Sequence, residues 1–199
     1  MSEYKYPKIN VTRKTGSEQF ANANIKEQLI DYWAWAHSDI CSNSERGKFA
    51  EYLVSLAMGC ADGTTHEWGA YDIDSPEGIK IEVKSSAYLQ TWAHKELSNI
   101  TFSIRQSHAW NPETNLQETE LKRQADIYVF CVENCQDQSL VNPFDLAQWD
   151  FYPVATNKLN EAFGSQKMVT LRMLEKKPGA TICKFSELRN EILRQYHNN

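Results

Sequence analysis

Between residues 71 and 86 the chain reads YDIDSPEGIKIEVKSS, with charged residues at spacings that a β-hairpin would gather. Strand side chains alternate, so within 79–86 Lys80, Glu82 and Lys84 share one face and Ile79, Ile81 and Val83 the other. Glu82 and Lys84 are then neighbours, roughly 6–7 Å apart along the strand. The preceding strand, 68–74, carries Asp72 and Asp74 on one face. The turn formers Ser75-Pro76-Glu77-Gly78 fold the chain back, bringing at least one aspartate towards Glu82. Neighbouring carboxylates resist joint ionisation unless a cation lies between them. Oxygen-only ligands suit a hard ion, Mg2+ or Mn2+. Such an ion acidifies water and neutralises charge on a phosphoryl group, while a nearby lysine orients the water or stabilises the transition state. These are the parts that hydrolysis of a phosphodiester requires.

Glu-x-Lys by itself carries little information, because it recurs at Glu3-Tyr4-Lys5, Glu120-Leu121-Lys122 and Glu175-Lys176-Lys177. None of those follows an aspartate-bearing strand and a glycine turn. The ordinary alternative is an amphipathic edge hairpin with a solvated charged face, and the pattern alone leaves both readings open, as it leaves open Asp72 or Asp74.

The segment YDIDSPEGIKIEVKSSAYLQTW resembles the core hairpin of the restriction-endonuclease-like superfamily, the PD-(D/E)xK nucleases. The resemblance implies that Asp72 is the metal-binding aspartate, Glu82 the second metal ligand and Lys84 the catalytic lysine. The proline of the motif's name is missing, since Ala70-Tyr71 precede Asp72. It also implies an acidic residue on the first core helix, here Glu51, as a further metal and catalytic candidate; pairing with Arg46 or Lys48 would explain Glu51 otherwise. RGKFAEYLVSLAMG, the hairpin, KRQADIYVFCV and QWDFYPVAT together resemble an uncharacterised bacterial family of that superfamily. The implied protein is a metal-dependent, endonuclease-type hydrolase acting on DNA with Mg2+ or Mn2+. The alternative is an inactive nucleic-acid-binding or protein-interaction module that keeps the nuclease fold. Gln90, just beyond the lysine, is a candidate for phosphate or lysine contact, and Lys122 and Arg123 for backbone phosphates. Trp92 and Trp110 suit either base stacking or the core and its rim.

The elements that must position these residues are legible in outline. The 199 residues suit one domain spanning 1–199, with 41% hydrophobic and 24% charged residues arguing against disorder. A net charge of −5 leaves nucleic acid open, because only the local field matters to a phosphate. No apolar run is long enough for a membrane span, and the polar N-terminus lacks a signal-peptide core, so the expected location is the cytoplasm. The five cysteines contain no CxxC pair and read as free thiols; the histidines, His66 among them, show no metal spacing. Expected helices cover 17–35 and a segment from the Ser42 cap to Gly59, with Glu45 completing a capping box. Strands are expected at 68–74, 79–86, 99–105, 125–132 and 151–155, a loop at 111–117, a short helical approach at 118–124, and helices at 157–163 and 186–196. The implied architecture is α/β (α+β) with a mixed central sheet flanked by helices, a restriction-endonuclease-like core. A homodimer would suit double-strand cleavage.

Overall fold

In the computed structural model, which describes residues 5–6, 8–65, 69–111 and 114–198, the helix that carries Glu51 follows its sequence signals closely. Helix α2 (Asn43–Met58) starts where the Ser42 hydroxyl accepts the Glu45 N–H, and stops at Gly59, whose φ of 74° is left-handed. Helix α1 is shorter than the sequence suggests, covering only Leu29–Ala36. Residues 17–28 turn back on themselves instead, with Asn22 at a φ of 59° and a bridge from Gln19 to Gln28. Asparagine tolerates that left-handed conformation, and the turn ends any helix begun at Ser17.

The central sheet has the order β1-β2-β6-β7, formed by β1 (Ile73–Asp74), β2 (Lys80–Ala87), β6 (Ile127–Glu133) and β7 (Trp149–Ala155). β1 runs antiparallel to β2, β2 parallel to β6, and β6 antiparallel to β7. The mixed sheet expected from sequence is therefore present. All seven residues of β6 are buried, the apolar run 127–132 as an inner strand requires and Glu133 at its end with them. Ile81, Val83, Ile127 and Val129 pack on one face with Ala50, Leu53 and Val54 of α2 and Leu188 and Ile192 of α5 (Phe185–His197). Tyr128, Phe130 and Val132 pack on the other with Leu159 and Phe163 of α3 (Thr156–Phe163) and Leu174 of α4 (Leu171–Lys176). Phe102 of β3 (Thr101–Ser103) and Val169 of β8 (Met168–Thr170), a two-stranded ribbon, complete that layer.

Four expectations need correction. β8 and α4 fall where no element was expected. Trp110–Asn111 (β4) and Leu116–Gln117 (β5) pair antiparallel across the expected loop. Residues 118–124 form no helix, because Lys122 pairs its backbone with Ser107 in both directions. The first hairpin arm is only two residues of strand among the described residues. Trp68, where that arm was expected to begin, lies outside the described residues with His66, as do Pro112, Glu113 and residues 1–4, 7 and 199. No helix of the described residues is long and apolar enough to cross a membrane.

Candidate active site

The hairpin turn sets the site's register. The Ser75 hydroxyl accepts the N–H groups of Glu77 (3.2 Å) and Ile79 (3.1 Å), and Gly78, at a φ of 80°, supplies the left-handed step. This lock places Asp74 opposite Lys80 and Ile73 opposite Ile81. The ladder then slips. The Ile81 carbonyl also accepts the Asp72 N–H (3.1 Å), although its register partner is Ile73, the pattern of a β-bulge. The next outward N–H of β2, that of Val83, is taken by the Asp72 carboxylate at 2.7 Å. Asp72 is thereby pinned at the sheet edge, beside the peptide that joins Glu82 to Val83.

Glu82 and Lys84 lie side by side on β2 as alternation predicts, with Lys84 Nζ donating to Glu82 Oε1 at 2.5 Å. Burial, then the Asp72 charge, raise the Glu82 carboxyl above its ordinary value, and Lys84 opposes them. Glu51 faces the same aspartate from α2. Burial and Asp72 raise its carboxyl too, against hydrogen bonds from Lys48 (3.0 Å) and Thr65 (3.3 Å). The charge of Asp72 thus bears on both carboxylates. Asp74 does not share this position: it is exposed, accepts the Tyr71 hydroxyl (3.2 Å), and leaves Lys80 above the Tyr71 ring.

A cleft of about 560 Å³ opens on the α2 side of this edge, lined by Lys48, Glu51, Tyr52 and Ser55 of α2, by residues 60–65, and by Asp72, Ile73 and Asp74. Glu82 and Lys84 are outside that lining. The candidate site therefore wraps around the edge of β2, with Asp72 as its common member.

Among the described residues no three His, Cys, Asp or Glu side chains form a ready ligand group for a metal. The donor chemistry nevertheless fits Mg2+ or Mn2+. Such ions keep several waters and need only one or two carboxylates, and Asp72 with either neighbour supplies hard oxygen donors whose mutual repulsion a dication would relieve.

The candidates for phosphate contact fare differently. Arg123 is buried, with Nε on the Ile104 carbonyl (2.9 Å), Nη1 on Asn160 (2.5 Å) and Nη2 on the Gln166 carbonyl (3.2 Å). Its guanidinium, expected to reach a backbone phosphate, ties the β3 and α3 regions together. Gln90 is likewise engaged inside, donating to the Ala87 carbonyl and Ser98 Oγ, both at 3.1 Å, rather than touching Lys84. Lys122 is exposed and paired with Glu120 at 2.5 Å. Trp92 and Trp110 are both exposed, and all five cysteines are free thiols.

Sequence reasoning did not find Tyr128. Its register partner on β2 is Glu82, and burial, followed by the Glu82 charge, pushes its phenol above the ordinary range. Only the parallel β2–β6 register, which no local motif encodes, could have pointed to it. Lys48 and Thr65 were also not singled out as site members. The helical spacing of Lys48, Glu51, Tyr52 and Ser55 was the available signal for the first of them.

The family described as Bacteriophage T4 endonuclease IV matches residues 16–167, more than half of the chain. The matched span includes Glu51, Asp72, Glu82 and Lys84 and ends before β8. No curated protein and no solved structure gives a match to the chain.

Proposed function

Since the chain belongs to the bacteriophage T4 endonuclease IV family, we propose that it cleaves DNA by metal-dependent phosphodiester hydrolysis of the PD-(D/E)xK type. Asp72 together with Glu82 or Glu51 would hold Mg2+ or Mn2+, and Lys84 is the catalytic lysine. The observation that carries this reading is one aspartate, pinned to the Val83 amide, whose charge bears on the carboxyls of both Glu51 and Glu82. When bound, the ion supplies Lewis acidity, lowering the pKa of a water and neutralising charge on the phosphoryl oxygens.

The chain's own groups account for the rest. The Val83 N–H holds the Asp72 carboxylate in place. Glu82 fixes the Lys84 ammonium by one hydrogen bond, leaving N–H donors on the same nitrogen for a water or a non-bridging phosphate oxygen. That lysine, partly shielded from solvent with 30% of its side chain exposed, stabilises the extra negative charge of the transition state.

The test is metal-dependent cleavage of plasmid, linear and branched DNA by the unsubstituted protein, Lys84→Ala and Glu82→Ala. Each substitution is expected to slow cleavage by about 10²-fold or more. Cleavage that persists unchanged in both variants rules out the site. One observation favours the second reading, an inactive module: no three-carboxylate group is assembled among the described residues. Calorimetry with Mg2+ or Mn2+ separates the two, since a module without catalysis binds neither ion at millimolar concentration, with or without DNA.

A further inference from the structure

The α2 wall of the cleft consists of Lys48, Glu51, Tyr52 and Ser55, spaced i, i+3, i+4 and i+7, so that one helix face looks into the opening. Four carboxylates line the cleft, those of Glu51, Asp62, Asp72 and Asp74, and among the described lining residues Lys48 alone is a cation. A polyanion approaching Asp72 from this side meets repulsion unless a fixed positive charge receives it. The Lys48 ammonium is fixed. It donates to Glu51 Oε2 at 3.0 Å and to Thr65 Oγ1 at 3.2 Å, and the Thr65 hydroxyl donates to the same Glu51 oxygen at 3.3 Å. This triangle ties α2 to the 60–65 turn and takes two of the three ammonium protons. With 44% of the side chain exposed, the nitrogen keeps a donor for a ligand in the cleft. Lys84, held by Glu82 and outside the cleft lining, cannot serve that side.

We propose that Lys48 binds a backbone phosphate of the nucleic-acid substrate on the α2 side of the sheet edge, with the Glu51 carboxylate holding its ammonium. The inference rests on the reading of the site as a phosphodiester-cleaving one. It adds a second phosphate contact across Asp72 from Lys84, so the strand is gripped on both sides of the reacting position.

The test measures binding of a fluorescein-labelled DNA oligonucleotide in EDTA across a salt series, with cleavage kinetics in Mg2+, for the unsubstituted protein, Lys48→Met, Lys48→Arg and Thr65→Val. Lys48→Met is expected to reduce the slope of log K against log salt by about one, the signature of one lost phosphate contact. It is also expected to raise KM about 5–10-fold while kcat changes less than about 3-fold, as loss of uniform binding requires. Lys48→Arg should restore the slope. Thr65→Val, which keeps the charge and cuts the tie to the turn, should leave it unchanged. An unaltered slope in Lys48→Met, or an equal loss in Thr65→Val, overturns the proposal and leaves Lys48 as a tie between α2 and the turn. Thermal melting of each variant reports folding, and the exposed Lys48 and its methionine replacement are both good helix formers. If Lys84→Ala still cleaves normally, the reading of the site fails; if Lys84→Ala is inactive but Lys48→Met keeps its slope, only this inference fails.

Discussion

The bulge at Asp72 makes a sharp demand on two aspartates that the sequence treats alike. Asp72→Asn keeps the shape of the side chain and an oxygen able to accept the Val83 N–H, so the hairpin should fold. What it removes is a negative charge next to the Glu82 peptide. Glu82 feels the Asp72 charge, and two like charges about 4–6 Å apart at an effective dielectric constant of about 20 repel by about 3–4 kcal/mol before screening. In EDTA the variant should therefore be no less stable than the unsubstituted protein. A cation bound only by the folded state at about 100 times its Kd adds about 2.7 kcal/mol, and for a domain of this size each kcal/mol moves Tm by about 2–4 °C. The unsubstituted protein is expected to melt about 5–11 °C higher in saturating Mg2+ than in EDTA, and Asp72→Asn to lose most of that shift along with cleavage. Asp74→Asn, whose carboxylate serves Tyr71 at an exposed position, should keep the shift and cleave within about 3-fold of normal. Differential scanning calorimetry in matched buffers is the assay. A Mg2+ shift that survives in Asp72→Asn but vanishes in Asp74→Asn refutes the assignment of the site to the bulge.

Two further outcomes follow from the side-chain environments. Arg123→Ala leaves two backbone carbonyls and Asn160 without their buried donor and should cost about 2–4 kcal/mol in urea unfolding, while the salt slope of DNA binding stays the same. In metal-free protein, Glu51 and Glu82 are raised above the ordinary 4.5, so between 4.5 and the raised values the folded chain binds more protons than the unfolded one. Stability must then fall as pH rises through that window. The urea midpoint in EDTA should be higher at pH 5 than at pH 7.5, the difference should shrink in Glu82→Gln, and a midpoint that rises with pH contradicts the assignment.

How much of this was legible depended on the range of the interactions involved. The Ser42 cap, the Gly59 stop and the Ser75–Gly78 turn are local chemistry, and each appears where its residues stand. β6 was visible because burial on both faces leaves an unbroken apolar run. The 17–35 helix misled because its apolar positions look periodic, while Asn22 and the Gln19–Gln28 bridge turn the chain before α1. Glu82 and Lys84 could be paired from alternation alone. Asp72 could not be chosen over Asp74 in the same way, because alternation assumes an unbroken ladder and the bulge breaks it. The buried placement of Arg123 was hidden for the opposite reason: a basic residue before a strand reads as surface, yet its partners at Ile104, Asn160 and Gln166 are distant in sequence. Tyr128 required the β2–β6 register, which only the folded sheet contains.

The turn, though it carries none of the proposed chemistry, decides which aspartate meets the Val83 amide and so which one the proposed site would use. Register in a hairpin follows from turn geometry, and a slip of one residue exchanges the faces of a strand. Here the Ser75 hydroxyl holds two amides and Gly78 takes the left-handed step, which sets Asp74 against Lys80 and leaves Asp72 to meet the Val83 N–H. An L side chain at Gly78 has open space around it but strains the backbone at a φ of 80°. Relief of that strain by a changed turn would move the pairing and carry Asp72 away from Glu51 and Glu82. The turn is thus coupled to the site through register rather than through contact. The two-residue length of β1 gives the ladder few other bonds with which to resist a slip.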